Sequence, residues 1–412
     1  MREPRFHYGW VVVGTGMLGI FACLGFGRFA LGMLLPSMGA SLGLSYAQLG
    51  YVGTANFVGY LAAVLVAGQV AGRFGPRALV AGSLLLVAGS MALISRAGSF
   101  LPLLLLYVLT GIGSGGTNVP VMGLIARWFL SSARGRAAGF ATIGSGFAIV
   151  VSGQLIPWIN AREGATGWRT SWLVLSAVVA AVALLSLLLL RNRPEEMGLR
   201  AYGTDRPRGP HAAAAPAPDL PYHRSRAVWL LAFLYAMFGA TYSIYVTFIV
   251  TSLVRERGFS EGTAGIFWSA IGLLSLLSGP VPGWISDRFG RRAGLSLVFS
   301  LQLAAYLLAG LHLPRPFLYL SVACFGVVAW SVPAIMTAAV GDHVGPEGTL
   351  RALGFLTLFL GLGQVVGPAL GGVLADRTGG FEASFLLAAA LAGAAVAACR
   401  FLRPPGRSTL DA

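Results

Sequence analysis

Arg28 is a cation inside an apolar stretch, residues 10–38. The stretch exceeds the about 20 residues that a helix needs to cross a bilayer. Charged side chains within membrane spans are costly, and they usually face a protein cavity rather than lipid. Arg28 is therefore the first candidate for a binding residue, and the ligand that it would attract is an anion. The alternative is a structural arginine that donates to helix-end carbonyls.

Uncharged polar and aromatic side chains in other apolar stretches supply the remaining candidates. The amide of Asn118 can donate to a carboxylate oxygen, or it can bond to a neighbouring helix. An aromatic residue such as Trp330 can line a site or serve packing alone. The predicted substrate-binding set is Arg28, Asn118, Tyr242, Ser243, Asn56 and Trp330.

All 14 acidic residues lie in predicted loops, tails or helix ends. A carboxylate relay for protons in the middle of the membrane is therefore not expected. If transport is coupled to protons, the substrate's own carboxyl group carries the proton, or a peripheral group such as Asp342 or His343 acts as a gate for transport. Facilitated diffusion and anion exchange are the alternatives. The same shortage of acids argues against a site for large cations.

Catalytic and cofactor signatures are missing from the sequence. It contains no nucleophile–base pairing, metal-ligand cluster or phosphate-binding loop, so we predict neither an enzyme nor a bound cofactor or metal. The three cysteines lie far apart and fit no disulfide framework.

The composition is that of a polytopic membrane protein. Hydrophobic residues make up 56% of the 412 residues and charged residues 10%, against about 25% charged in soluble domains. We predict an all-α protein with twelve transmembrane helices. The predicted spans are 8–38, 46–70, 77–97, 100–126, 135–160, 168–190, 226–253, 261–286, 292–312, 315–341, 350–375 and 381–402.

The net charge of +15 comes from arginines that sort by loop, which argues against nucleic-acid binding. Of the 29 arginines, 21 fall in the termini and alternate loops, and seven fall in the opposite loops. This bias is the positive-inside pattern, and it predicts that both termini are cytoplasmic. We expect a multi-pass protein of the cell (inner) membrane, in contact with the lipid bilayer, from a bacterium.

The chain divides into two halves that repeat each other. Gly68–Arg77 matches Gly283–Arg292, and Arg136–Thr142 matches Arg351–Thr357, both 215 residues apart. We predict six-helix bundles over 1–190 and 226–412, joined by a cytoplasmic linker at 191–225. Six spans separate equivalent points, so the repeats are parallel, as in rocking transporters with a site between the halves.

The segment Gly283–Arg292, which reads G-x-x-x-D-R-F-G-R-R, resembles a loop motif of the major facilitator superfamily. The resemblance covers the whole chain and implies that this loop latches helix ends. In the first-half copy Gly72 replaces the acid. The implied latch residues are Asp287, Arg288, Arg291, Arg292 and Arg73. The alternative is that these charges only set topology.

A second segment, Gly363–Gly372, looks like the family's glycine–proline motif, which usually marks the fifth helix. Small residues four apart let helices approach closely. The alternatives here are a bending role and plain packing.

Shorter segments resemble the monocarboxylate and oxalate/formate branch of the superfamily. They are His7–Trp10, Arg127–Phe129, Gly167–Arg169 and Arg193–Leu199. That branch typically has a Gly-Arg pair where this chain has Gly279-Pro280, so its carboxylate-binding arginine is absent. The Gly27-Arg28-Phe29 triplet is similar to another bacterial branch, which places the anion-binding role on Arg28.

Together these features predict a secondary transporter that moves a small organic anion, a monocarboxylate, by alternating access. The co-substrate would be a proton or a counter-anion, and we expect a monomer. The alternative function is export of hydrophobic or drug-like compounds, for which aromatic residues in the spans would form the pocket.

Overall fold

The computed structural model describes residues 7–203 and 225–402, and its regular structure is helical. One isolated bridge pairs Phe129 with Tyr202. The helices are α1 (Gly9–Ser41), α2 (Tyr46–Phe74), α3 (Pro76–Ile94), α4 (Phe100–Trp128), α5 (Ser131–Glu163), α6 (Gly167–Leu189), α7 (Arg226–Arg255), α8 (Glu261–Ser275 and Pro280–Phe289), α9 (Arg291–Gly310), α10 (Pro316–Gly345), α11 (Arg351–Thr378) and α12 (Glu382–Cys399).

The prediction of an all-α membrane protein with twelve spans is confirmed. In the described chain ten segments are long and apolar enough to cross a bilayer, and the bent α8 makes eleven. One of these segments, 131–189, contains a turn at Gly164, where φ is 62°. Glycine adopts a positive φ readily, so α5 ends there, and the short 3₁₀ turn Gly164–Thr166 separates it from α6.

Helix positions follow the predicted repeat. The helices α2, α3 and α6 begin at Tyr46, Pro76 and Gly167, and α8, α9 and α12 begin 215 residues later. Gly75 and Gly290 occupy equivalent turns with φ of 81° and 92°. Those angles explain the glycine that both copies of the loop motif share.

Two helices of the second half are broken, and the two breaks are hydrogen-bonded to each other. The helix α8 is bent by 44° between Ser275 and Pro280, and α10 is interrupted between Val328 and Ser331. The Trp330 N–H donates to Ser278 Oγ (3.2 Å), and Ser331 Oγ donates to Ser278 O (2.5 Å). Backbone groups freed by a break inside a membrane need such partners.

Contacts divide the described chain into two compact units. The first contains residues 7–44, 55–203 and 259–272, and the second contains 45–54, 225–258 and 273–402. The units follow the two sequence halves except for the starts of α2 and α8. Residues 204–224 of the predicted linker lie outside the described residues.

Candidate substrate-binding site

Arg28 lies at the end of a nine-residue π-helical stretch in α1, Phe21–Phe29. Its side chain is buried, with 8% exposed. Its Nε donates to Asn56 Oδ1 over 3.0 Å. Its Cζ lies 4.1 Å from the ring centroid of Tyr60 and 4.8 Å from that of Phe57. One short stretch of α2 therefore supplies an amide and two aromatic faces to the guanidinium.

The Nη2 atom of Arg28 is buried and has no hydrogen-bond partner among the described residues. None of the salt bridges in the described chain includes this arginine. Burying a charged donor without an acceptor is unfavourable. An oxygen of an anionic ligand is the acceptor that this arrangement favours.

Side chains of α2 and α4 hold the π-helical stretch from outside. Ser114 Oγ donates to Cys23 O (2.7 Å), and Tyr107 OH donates to Arg28 O (3.0 Å). The Asn56 Nδ2 donates to Gly27 O at 3.3 Å. Isolated π-helical turns are rare, and they often mark functional positions. Nothing in the sequence pattern of α1 indicates this distortion.

Glycines of α4 bring that helix against α2. A Cβ at Gly111 would lie 2.1 Å from Asn56 O, and one at Gly115 would lie 2.8 Å from Tyr60 O. The backbones therefore touch at the level of the arginine, as small residues four apart allow. Asn118, one turn further along, donates from Nδ2 to Tyr60 OH over 2.8 Å. Three predicted residues are thus connected, since Arg28 bonds directly to Asn56 and Asn118 is linked to Arg28 through Tyr60.

The second unit groups two other candidates. The Tyr242 hydroxyl accepts from Gln364 Nε2 (2.6 Å), and its ring meets the Trp330 ring edge-on at 5.7 Å. Gln364 was not among the predicted contacts, because it lies within the glycine–proline segment, whose pattern predicts bending or packing. The usable signal was its amide, a polar group in a stretch that is otherwise apolar.

Ser243 serves packing in this arrangement. Its Oγ donates to Ala240 O (3.0 Å) in the same helix. A Cβ at Gly367 would lie 2.5 Å from that oxygen, so the serine lies against α11. The substrate role of Ser243 stays a prediction.

Two of the predicted latch residues, Asp287 and Arg291, form a polar cluster with Asp342. Arg291 Nε donates to Asp342 Oδ2 (2.7 Å), and Arg291 Nη1 pairs with Asp287. The cluster joins the end of α8, the start of α9 and the later part of α10. Arg288 and Arg73 lie over rings of their own helices, 5.8 Å from Phe289 and 5.4 Å from Phe74. The Arg292 side chain forms no salt bridge with a described residue.

Two of the short segments singled out in the sequence, His7–Trp10 and Arg127–Phe129, contact residues that flank another of them, Arg193–Leu199. His7 Nε2 is hydrogen-bonded to Arg200 O (2.9 Å), and Trp128 Nε1 donates to Arg191 O (3.0 Å). The Tyr202 ring lies 5.2 Å from His7 and 6.0 Å from Trp10. The start of the predicted linker is therefore packed onto the bundle.

Comparison with known families gives one match that spans nearly the whole chain. The family described as "Uncharacterised MFS-type transporter YbfB" matches residues 20–400.

Individual relatives agree with this match. The chain is 27% identical to the probable sulfoacetate transporter SauU of Cupriavidus necator, covering 92% of this chain and 90% of that one. It is 27% identical to human monocarboxylate transporter 11, covering 94% and 81%. The fold matches that of a bacterial homologue of the lysosomal transporter Spinster, with a TM-score of 0.76, 17% identity, and 97% and 98% coverage.

Proposed function

The chain belongs to the family described as "Uncharacterised MFS-type transporter YbfB", within the major facilitator superfamily, and we propose that it carries a small organic anion across a membrane. Transport would proceed by alternating access. The family consists of membrane transporters, so the chain is not an enzyme. Two relatives support an anionic substrate, since their names assign sulfoacetate to one and monocarboxylates to the other.

The observation that carries this proposal is the state of the Arg28 guanidinium. Its Nε is bonded to an amide, its faces are covered by two rings, and its buried Nη2 has no acceptor among the described residues. A carboxylate or sulfonate oxygen accepts from such a donor and neutralises the charge. We propose a monocarboxylate as the substrate, with Arg28 as its anchor.

The other predicted substrate contacts are Asn56 and Asn118 in the first unit and Tyr242, Ser243 and Trp330 in the second. The hydroxyl of Tyr242 and the indole of Trp330 suit the uncharged part of a small organic acid. One arginine with two or three neutral hydrogen bonds contributes only a few kcal/mol net, about what weak binding and rapid release need.

The proposed setting is the inner membrane of a bacterial cell, with both termini in the cytoplasm. The distribution of arginines supports this orientation. The transporter would work as a monomer. A proton on the substrate carboxyl group or a counter-anion would balance the charge.

Uptake by proteoliposomes tests the proposal. Vesicles containing the purified protein are supplied with labelled monocarboxylates, a sulfonate, a neutral sugar and a lipophilic cation. We expect saturable uptake of an organic acid and no uptake of the sugar. Transport of the lipophilic cation alone would favour the alternative, an exporter of drug-like compounds, and would contradict the anion assignment.

A further inference from the structure

A large crevice lies between the end of α1, the second half of α5 and the start of α8. It has a volume of about 1340 Å³, and all its lining residues belong to the first compact unit. Most of the lining is apolar, including Val151, Pro157 and Trp158. The polar lining includes Gln154, Asn160 and Glu261, well separated in sequence from the arginine site.

The amide nitrogens of Asn160 and Gln154 bond to groups within the protein. Asn160 Nδ2 donates to Glu261 Oε2 (2.7 Å) and to Ser37 Oγ (3.3 Å). Gln154 Nε2 donates to Ser269 Oγ over 2.8 Å.

The acceptors remain without donors. The second carboxylate oxygen of Glu261 and the amide oxygen of Gln154 form no hydrogen bond with a described residue. Asn160 Oδ1 has no partner among the described residues either, but it is fully buried and faces Gly167, outside the crevice. A carboxylate and an amide oxygen favour a cation that carries several N–H groups, and a primary ammonium has three.

The crevice lies near the ends of its helices, and this position indicates that the ammonium belongs to a lipid headgroup. Ser37 and Ser41 lie in the last turns of α1, and Glu261 is the first residue of α8. Trp158 is 53% exposed, and tryptophans near span ends occur at the level of lipid headgroups. The half-exposed apolar side chain of Val151, deeper along α5, suits an acyl chain. Arg162 does not line the crevice, but it lies 3.7 Å from the ring of Trp158, which does, and it therefore places a cation beside the crevice for a phosphate.

We propose that this crevice binds phosphatidylethanolamine, with the ammonium on Glu261 and the phosphate toward Arg162. This lipid joins a primary ammonium to a phosphate, so it matches both charges. Phosphatidylcholine has the same charges but no N–H group, and phosphatidylglycerol has no cation. The site is separate from the proposed transport function and does not depend on it.

Native mass spectrometry of the purified full chain, titrated with each of the three lipids, tests the proposal. We expect phosphatidylethanolamine to bind at least tenfold more tightly than the other two. Glu261→Gln keeps an oxygen that accepts from Asn160, and it should lower the affinity for phosphatidylethanolamine to that of phosphatidylcholine. Glu163→Gln is the matched control, because Glu163 ends α5 and is bonded to Thr170 outside the crevice.

Equal binding of phosphatidylcholine and phosphatidylethanolamine by the unaltered protein would overturn the proposal. So would full retention of phosphatidylethanolamine by Glu261→Gln. If Glu261→Gln does not fold, the comparison of the lipids on the unaltered protein decides alone.

Discussion

Arg28 differs from other arginines of the described chain in what its guanidinium contacts. Arg169 donates to the carbonyls of Ser95 and Ala97, and Arg257 donates to those of Ala309 and Leu311. Those two have the structural role that the sequence left open for Arg28. Arg28 instead bonds an amide and lies between rings. Its environment therefore favours binding over anchoring a helix end.

Two variants of Tyr60 distinguish the contribution of its ring to substrate binding from that of its hydroxyl group. Tyr60→Phe keeps the aromatic face over Arg28 and loses only the bond from Asn118. Tyr60→Leu loses the cation–π contact, which is worth about 2 kcal/mol when desolvated. We expect the KM for uptake to rise about tenfold or more in Tyr60→Leu and by much less in Tyr60→Phe. Equal KM values in the two variants would show that the ring does not hold the guanidinium.

Among the elements, α4 acts as the support for the site. Its glycines allow backbone contact with α2, and its Ser114 and Tyr107 side chains bond to carbonyls of the π-helical stretch. A glycine-rich helix such as α4 is typical of close packing against a neighbour, and the contact distances to α2 agree with that. The π-helical stretch was not predictable, because hydrogen bonds from another helix stabilise it.

Two glycines of α4 allow a matched test of this packing. In Gly111→Ala the new methyl group would lie 2.1 Å from Asn56 O, so α2 and α4 must separate. A Cβ at Gly123 meets nothing within 4 Å. Overpacking costs about 1–3 kcal/mol. We expect Gly111→Ala to lower the Tm in detergent and Gly123→Ala to leave it unchanged; equal Tm values would contradict the described contact.

The cluster around Arg291 permits a similar comparison. Arg291 bonds to two carboxylates, whereas Arg292 forms no salt bridge among the described residues. Exposed ion pairs contribute about 0–1 kcal/mol each. Arg291→Gln should therefore lower the free energy of unfolding by about 1 kcal/mol, and Arg292→Gln should not. Chemical denaturation measures both, and an equal loss in the two variants would leave the latch without an energetic role.

At the scale of the whole molecule, the repeat made the architecture predictable. The 215-residue offset came from short motifs, and the helix starts at Tyr46, Pro76 and Gly167 recur at that distance. Hydropathy predicted the twelve spans, because a long apolar segment inside lipid must form its backbone hydrogen bonds internally, as a helix does.

The repeat did not predict where the halves differ. Arg28 lies in a π-helical stretch, whereas its counterpart Ser243 lies in a regular α-helix. Gln364 was also missed, since a sequence pattern does not show which polar group will meet Tyr242. Contacts between distant helices decide these positions, and a single sequence carries little information about them.

Ligand-induced thermal stabilisation of Arg28→Gln tests whether Arg28 binds the anionic group of the substrate. A ligand that binds the folded protein raises its apparent stability. The organic acid taken up by proteoliposomes should raise the Tm of the unaltered protein and of Arg96→Gln, an exposed arginine at the end of α3. It should leave the Tm of Arg28→Gln unchanged. An equal rise in Arg28→Gln would contradict the assignment of Arg28 as the anion anchor.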